Sequence, residues 1–199
     1  MSLARVRLIL WALVLIVGVT ATIFTLYRQT LPASETVRFG GDFELVSTKG
    51  ETFTQDDLAG EPTMMFFGYT FCPDVCPTTL YESNVWRQAL DLTSEDIKTV
   101  FVTVDPERDT PEQLDAYLSS FGEDIIGLTG TPEQVDEIKS KYGIFSEKVT
   151  DEDSSDYLVN HTATLYLLDE NGVFAGTIAY GEGKESAVAK LKRLLNIEG

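Results

Sequence analysis

The chain holds two cysteines and a single histidine. The cysteines stand four apart in Phe71-Cys72-Pro73-Asp74-Val75-Cys76-Pro77, and His161 lies far downstream. Thiolate and imidazole hold soft ions such as copper(I), whereas carboxylates favour harder ones. A copper site in this sequence therefore draws on Cys72, Cys76 and His161. The other sulfurs belong to Met1, Met64 and Met65, and the last two sit in an apolar run that reads as a core strand. A thiol pair this close also supports a second chemistry, reversible oxidation by thiol exchange.

Cys76 is expected just before a helix amino terminus, where unpaired amides and the helix dipole favour anions, so its thiol is expected to be acidified. Prolines on both sides keep the loop out of regular helix. The three intervening residues let both sulfurs reach one ion or, with modest rearrangement, each other; the spacing alone also fits an inert disulfide or a buried pair. Phe66, Phe67, Tyr69 and Phe71 crowd the cysteines and read as core and wall, keeping the site dry, which alters metal and redox energetics. His161 enters an extended run directly after the acidic loop Asp151-Glu-Asp-Ser-Ser-Asp156. That loop reads as a solvated surface or as a flap over the site. Asp105, Glu107, Arg108 and Asp109 fall at the carboxyl end of a strand, where open α/β sheets place their sites. Capping and local pairing compete there with a supporting or docking role.

These residues need a frame. Residues 43–54 hold two short extended pieces around Lys49-Gly50, a hairpin pattern. Residues 62–69 form a continuous apolar run of the kind buried on both faces, which leads straight to Cys72. Pro77 stands where a first helical residue belongs, and Thr78 to Leu92 reads as helix. Residues 98–104 make a second buried strand, followed by a helix from Pro111 to Phe121 capped by Asp109 or Thr110. A short strand at 125–128 precedes a helix from Pro132 to about Gly143, whose Thr131-Pro-Glu-Gln134 start fits the capping box imperfectly. Residues 157–168 read as one extended run, Asn171-Gly172 as a hairpin turn, 173–180 as its antiparallel return, and 185–195 as a terminal helix. A β-α-β half joined to a β-β-α half, with the cysteines between the first buried strand and its helix, is a thioredoxin-like α/β fold: a central mixed sheet flanked by helices, here with an N-terminal hairpin. In it the chain entering the strand after the third helix passes the cysteine loop, which makes Cys72, Cys76 and His161 a three-coordinate site.

Leu8 to Tyr27 carries no charge for 20 residues, and about 20 apolar residues let a helix cross the hydrocarbon core. It reads as a single, uncleaved transmembrane helix, longer than a signal-peptide core, with Val19-Thr20-Ala21 a weak cleavage candidate. Arg5 and Arg7 before it against Arg28 after it place the amino terminus in the cytoplasm by the positive-inside bias. The expected domains are 1–28, the cytoplasmic tip and anchor; 29–40, a tether; and 41–199, the thioredoxin-like domain, soluble and monomeric when cut free. Past residue 28 all 32 Asp/Glu face 12 of the 15 Lys/Arg, a net −20. That charge excludes nucleic acid as a natural partner. It suits a solubilising surface or a basic partner. On the oxidising side a three-residue spacer argues for function over framework, since a disulfide's entropic benefit is smallest for short loops.

Four separated segments, FGYTFCPDVCPTTL, VTVDPERDTPEQL, GLTGTPEQV and YLVNHTATLYLLDENG, resemble in sequence and order the Sco/SenC family, copper chaperones of cytochrome c oxidase assembly. The resemblance spans roughly residues 40–195. It implies a membrane-anchored, thioredoxin-like domain in the extracytoplasmic space of a bacterial inner membrane, with copper(I) or copper(II) held by Cys72, Cys76 and His161. It further implies service to the binuclear copper centre of oxidase subunit II, with a periplasmic copper donor and a thiol reductant as further partners. Many members carry aspartate just before the histidine; this chain has Asn160, which removes a charge near the metal. Two other functions compete with copper delivery. One is a thiol–disulfide reductase using Cys72 and Cys76, against which the three-residue spacing stands. The other is a peroxidase, suggested only by Thr70 two residues before Cys72.

Overall fold

In the computed structural model, which describes residues 3–30, 39–150 and 156–197, the chain divides into two compact units, residues 1–38 and 39–199. The first holds α1 (Leu3–Thr30). Its Leu3–Thr22 stretch, mean hydropathy 2.1, is long and apolar enough to cross a membrane by length and composition. The hydroxyls of Thr20 and Thr22 donate back to the carbonyls of Ile16, Val17 and Gly18, so these polar groups are satisfied within the helix.

The second unit is built on β1 (Glu44–Ser47), β2 (Thr52–Thr54), β3 (Thr63–Gly68), α2 (Val75–Ala89), β4 (Lys98–Thr103), α3 (Pro111–Leu118), β5 (Ile125–Thr129), α4 (Pro132–Tyr142), β6 (Ser146–Thr150), β7 (Tyr157–His161), β8 (Thr164–Leu168), β9 (Phe174–Ala179) and α5 (Lys184–Leu194). Seven strands form one mixed sheet in the order β2-β1-β5-β4-β3-β8-β9. The pairs β3/β4 and β4/β5 are parallel and the flanking pairs antiparallel, the thioredoxin-like arrangement. All six residues of β3 are buried, because helices cover both faces at the sheet's centre. Alternation sends Phe66 to the face of Phe101 and His161, and Phe67 to the face of Tyr142 and Tyr166.

Local chemistry sets the boundaries. Thr110 caps α3, with Pro111 at its first position, and Thr131 and Gln134 complete a full capping box on α4, better formed than the sequence pattern suggests. Gly143, at φ 65°, ends α4 in the left-handed conformation that glycine adopts without strain. Two expectations need correction. Helix α2 begins at Val75 and stops at Ala89, so Cys76 and Pro77 lie inside its first turn. The first intrahelical bond runs from Thr78 N–H to the Asp74 carbonyl, and proline fits ahead of it because first-turn amides have no helical acceptor. The extended run 157–168 is two strands, parted at Thr162-Ala163. Its first half leaves the main sheet and pairs antiparallel with β6, a strand the sequence did not signal, in the register Ser146↔His161 to Thr150↔Tyr157. The acidic flap expected at 151–156 lies, save Asp156, outside the described residues.

Candidate metal centre

The first ligand pair is aimed by β3. Cys72 N–H closes a turn onto the Tyr69 carbonyl at 3.3 Å, and Cys76 follows in the first turn of α2, its side chain directed back under Gly68. A β-carbon on Gly68 would stand 2.8 Å from Cys76 Sγ and 2.9 Å from the Phe101 ring. The glycine is what lets the sulfur enter. Between strand and cysteine, Thr70 is pinned: its N–H and hydroxyl donate to Asp109 at 3.1 and 2.6 Å, while the Thr103 hydroxyl donates to the same carboxylate at 2.6 Å. Asp109 is fully buried. Burial raises its pKa above the usual carboxylate range, against the lowering effect of those bonds. It is thus the anchor of the cysteine loop, not the cap of α3.

His161 ends β7. Its Nδ1 lies 3.1 Å from the Thr162 carbonyl; since a carbonyl only accepts, Nδ1 donates there, and Nε2 is the nitrogen turned to the sulfurs. Nε2 lies 3.4 Å from Cys76 Sγ. The imidazole stands edge-on to Phe66 and Tyr69, with ring centroids 5.9 and 5.7 Å away, and the Tyr69 hydroxyl accepts the Val159 N–H at 3.1 Å. Of the four aromatic residues read as core and wall, Phe66, Phe67 and Tyr69 are buried, Phe67 on the opposite face of the sheet from the site, and Phe71 is 51% exposed.

Both cysteines are free. Cys72 is 9% exposed and Cys76 wholly buried, and their electrostatics reverse the expectation from sequence. The Cys72 thiol is pulled down to about 4, first by the hydrogen bond from the Cys76 side chain, against the raising effect of burial, with the His161 side chain and then the Cys76 and Asp74 amides adding to it. Cys76 is pushed far up, chiefly by loss of water and then by the neighbouring Cys72. The helix amino terminus serves the outer sulfur: Cys76 N–H donates to Cys72 Sγ at 3.4 Å. The pair is therefore a thiolate beside a thiol.

The donor atoms of Cys72, Cys76 and His161 all lie within 4.8 Å of one another. Metal–sulfur bonds of about 2.3 Å, as at zinc, bring ligands of one ion within about 4.6 Å, so a contraction of a few tenths of an ångström closes the group on an ion. Two sulfurs and one imidazole, mostly removed from water, suit a soft monovalent ion at low coordination number. Cavities of 450 and 330 Å³ lie elsewhere, against α5 and β9 and against β1, β2 and β5.

Around this centre the loop after β4 makes contacts that the sequence only hinted at. Arg108 Nε donates to Asp105 at 2.5 Å, its Nη1 donates to the Tyr157 carbonyl at 3.0 Å, and the Tyr157 hydroxyl donates to Asp105 at 2.8 Å. Glu107 pairs with Lys148 of β6 at 2.7 Å. Asp105, Glu107 and Arg108 therefore join the β6–β7 pair to the loop after β4. Tyr157 and Gly68 went unremarked in the sequence; a lone glycine ending a bulky buried strand was the available signal.

The SCO1/SenC family model matches residues 32–196. A SCO2-like protein of Rickettsia felis is 40% identical over 141 residues, covering 70% of this chain and 69% of the relative. Copper-bound ScoI of Bradyrhizobium japonicum is 40% identical, with a TM-score of 0.71 over 78% of this chain and 99% of that one. Copper-bound ScoI of Arabidopsis thaliana is 32% identical, with a TM-score of 0.73 over 80% and 99%. Matched by the family model over residues 32–196 and 40% identical to a relative along 70% of its length, the chain belongs to the SCO1/SenC family.

Proposed function

We propose that this protein carries copper through Cys72 Sγ, Cys76 Sγ and His161 Nε2, and hands it by ligand exchange to the binuclear copper centre of cytochrome c oxidase subunit II. The observation that carries the reading is the convergence of two unbonded sulfurs and one imidazole nitrogen within 4.8 Å. Copper bound in the Bradyrhizobium and Arabidopsis relatives supports it, as does the description of a more distant Sco protein as belonging to a family of oxidase assembly proteins. In this reading α1 anchors the chain in a bacterial inner membrane with residues 39–199 outside, where a periplasmic donor loads copper and a thiol reductant keeps the cysteines open. Copper is cargo here. A low-coordinate site near the surface exchanges ligands readily, because an acceptor thiolate can bind before a donor sulfur leaves.

One observation favours a second role, a thiol–disulfide reductase that prepares the acceptor's cysteines. The asymmetric pair, an outer Cys72 thiolate and an inner Cys76 thiol, suits attack by the first sulfur and resolution by the second. His161 separates the two readings. Cells whose only copy carries His161→Ala, with protein level checked, should lose oxidase activity if copper delivery is the task. Near-normal activity without added copper would leave the reductase role and sink delivery.

A further inference from the structure

The cysteines and the histidine arrive on parts of the fold that share little backbone. Cys72 and Cys76 follow the central strand β3, whereas His161 ends β7, whose strand partner is β6 in a separate two-stranded sheet. A lone hairpin of this kind is marginally stable. All of β6 and most of β7 are exposed or half-exposed, with Val159 the buried residue of the pair. The bond from the Val159 N–H to the Tyr69 hydroxyl, and the short step from His161 into β8 beside β3, tie the histidine end of β7 to the main sheet; the other end, at Tyr157, needs a hold of its own.

We propose that Arg108 is a positioning residue for the metal centre, clamping the His161 hairpin to the cysteine loop; the inference rests on copper being the cargo of that centre. The guanidinium carbon lies 3.7 Å from the Tyr157 ring centroid on the hairpin side and 4.7 Å from that of Phe71, the residue before Cys72, on the other. Nη1 bonds the Tyr157 backbone, and Nε bonds Asp105, whose second oxygen takes the Tyr157 hydroxyl. One planar cation thus touches both halves of the site and shares Tyr157 with its own counter-ion. Lysine cannot reproduce this, since a point charge has no plane to lie on a ring while its edge donates in two directions.

The other link from this loop, Lys148 to Glu107, is largely exposed on both sides and of the kind that contributes little. Arg108 Nη2 is buried with no hydrogen-bond partner among the described residues.

Because the clamp acts on His161, it should govern the metal state that depends on imidazole. Copper(II) favours nitrogen, while copper(I) can be kept by two thiolates. The test uses the full chain in detergent, reduced and loaded anaerobically, as Arg108→Lys and as the double variant Asp105→Asn/Arg108→Met. The double variant removes the ion pair together, so no lone buried carboxylate remains to unfold the protein. Each is prepared with His161 and with His161→Ala, and copper(I) and copper(II) affinities are measured by competition beside the thiolate-to-copper(II) absorption band. With His161 present, copper(II) affinity should fall about tenfold, the order reported for groups that orient metal ligands, and the band should shift, while copper(I) affinity falls much less. In the His161→Ala background neither substitution should weaken copper(II) further. An unchanged copper(II) affinity, an equal loss of both ions, or a loss that persists without His161 would overturn the clamp. Failure of the unsubstituted protein to bind copper would instead overturn the reading beneath it.

Discussion

Adding a single methyl group at Gly68 should disturb both the core and the metal centre. The new β-carbon of Gly68→Ala would lie 2.8 Å from Cys76 Sγ and 2.9 Å from two carbons of Phe101, where ordinary contact needs about 3.5–4.0 Å. The backbone cannot yield: Gly68 pairs with Thr103 across β3 and β4 and accepts the Val104 N–H at 2.8 Å. Phe101 is fully buried in a close-packed interior. The first turn of α2 is the part that can move, carrying Cys76 Sγ back by about 1 Å and away from the His161 nitrogen, if the contact is to be relieved. Overpacking of this kind costs about 1–3 kcal/mol, offset by about 0.4–1 kcal/mol from a stiffer unfolded chain. For a protein of this size each kcal/mol lowers Tm by about 2–4 °C. Thermal melting and copper competition, run beside Gly176→Ala, where nothing lies within 4 Å of the added carbon, provide the measurement. Gly68→Ala should melt lower and hold copper(II) at least about tenfold more weakly. Equal behaviour of the two alanine variants would refute the close approach of Cys76 to Gly68.

Iodoacetamide should modify Cys72 well before Cys76, at a rate nearly flat across neutral pH and falling only as pH drops toward about 4, where the Cys72 thiolate is protonated. Mass spectrometry showing Cys76 alkylated first would reverse the assigned polarity of the pair. Glu182 is lowered to about 2, first by its hydrogen bond with Lys190 and then by that with Ser186. Its folded pKa lies below the unfolded value of about 4.3, so its stabilisation is present above that value and is lost as pH falls from there through about 2. Acid denaturation should therefore be shallower in that window for Glu182→Gln than for the unsubstituted chain, and parallel curves would count against the pairing. Deleting residues 1–28 should leave a folded, monomeric domain, since the core residues lie at 43–191; an aggregated or unstructured product by gel filtration and circular dichroism would oppose the proposed boundary.

How much of this could be read from the residues alone depended on whether burial left a pattern. The strand residues 63–68 and 99–103 are all buried and show as apolar runs. Thr110-Pro111 and Thr131-Pro132 marked helix starts because capping is local chemistry. Strand β6 was invisible: Ser146 to Thr150 has no buried residue, and its pairing with β7 is tertiary. The break at Thr162-Ala163 was hidden for the opposite reason, since both flanking strands are rich in β-formers. At the site, the scarcity of sulfur and imidazole made Cys72, Cys76 and His161 stand out. Their electrostatic order did not, because it depends on which sulfur points inward beneath Gly68. The choice between Asp109 and Thr110 as the cap of α3 stayed open in the sequence, because the three donors that hold the Asp109 carboxylate come from Thr70 and Thr103, at the ends of two neighbouring strands.

The most direct test of the central claim is copper content. The full chain, reduced without oxygen in detergent and freed of loose metal, should retain one copper per chain. That copper should vanish when Cys72 and Cys76 are both replaced by serine, or when they are oxidised to a disulfide, because oxidation consumes the thiolate ligands. Retention of the same copper by the oxidised protein or by the double serine variant would contradict a site at Cys72, Cys76 and His161.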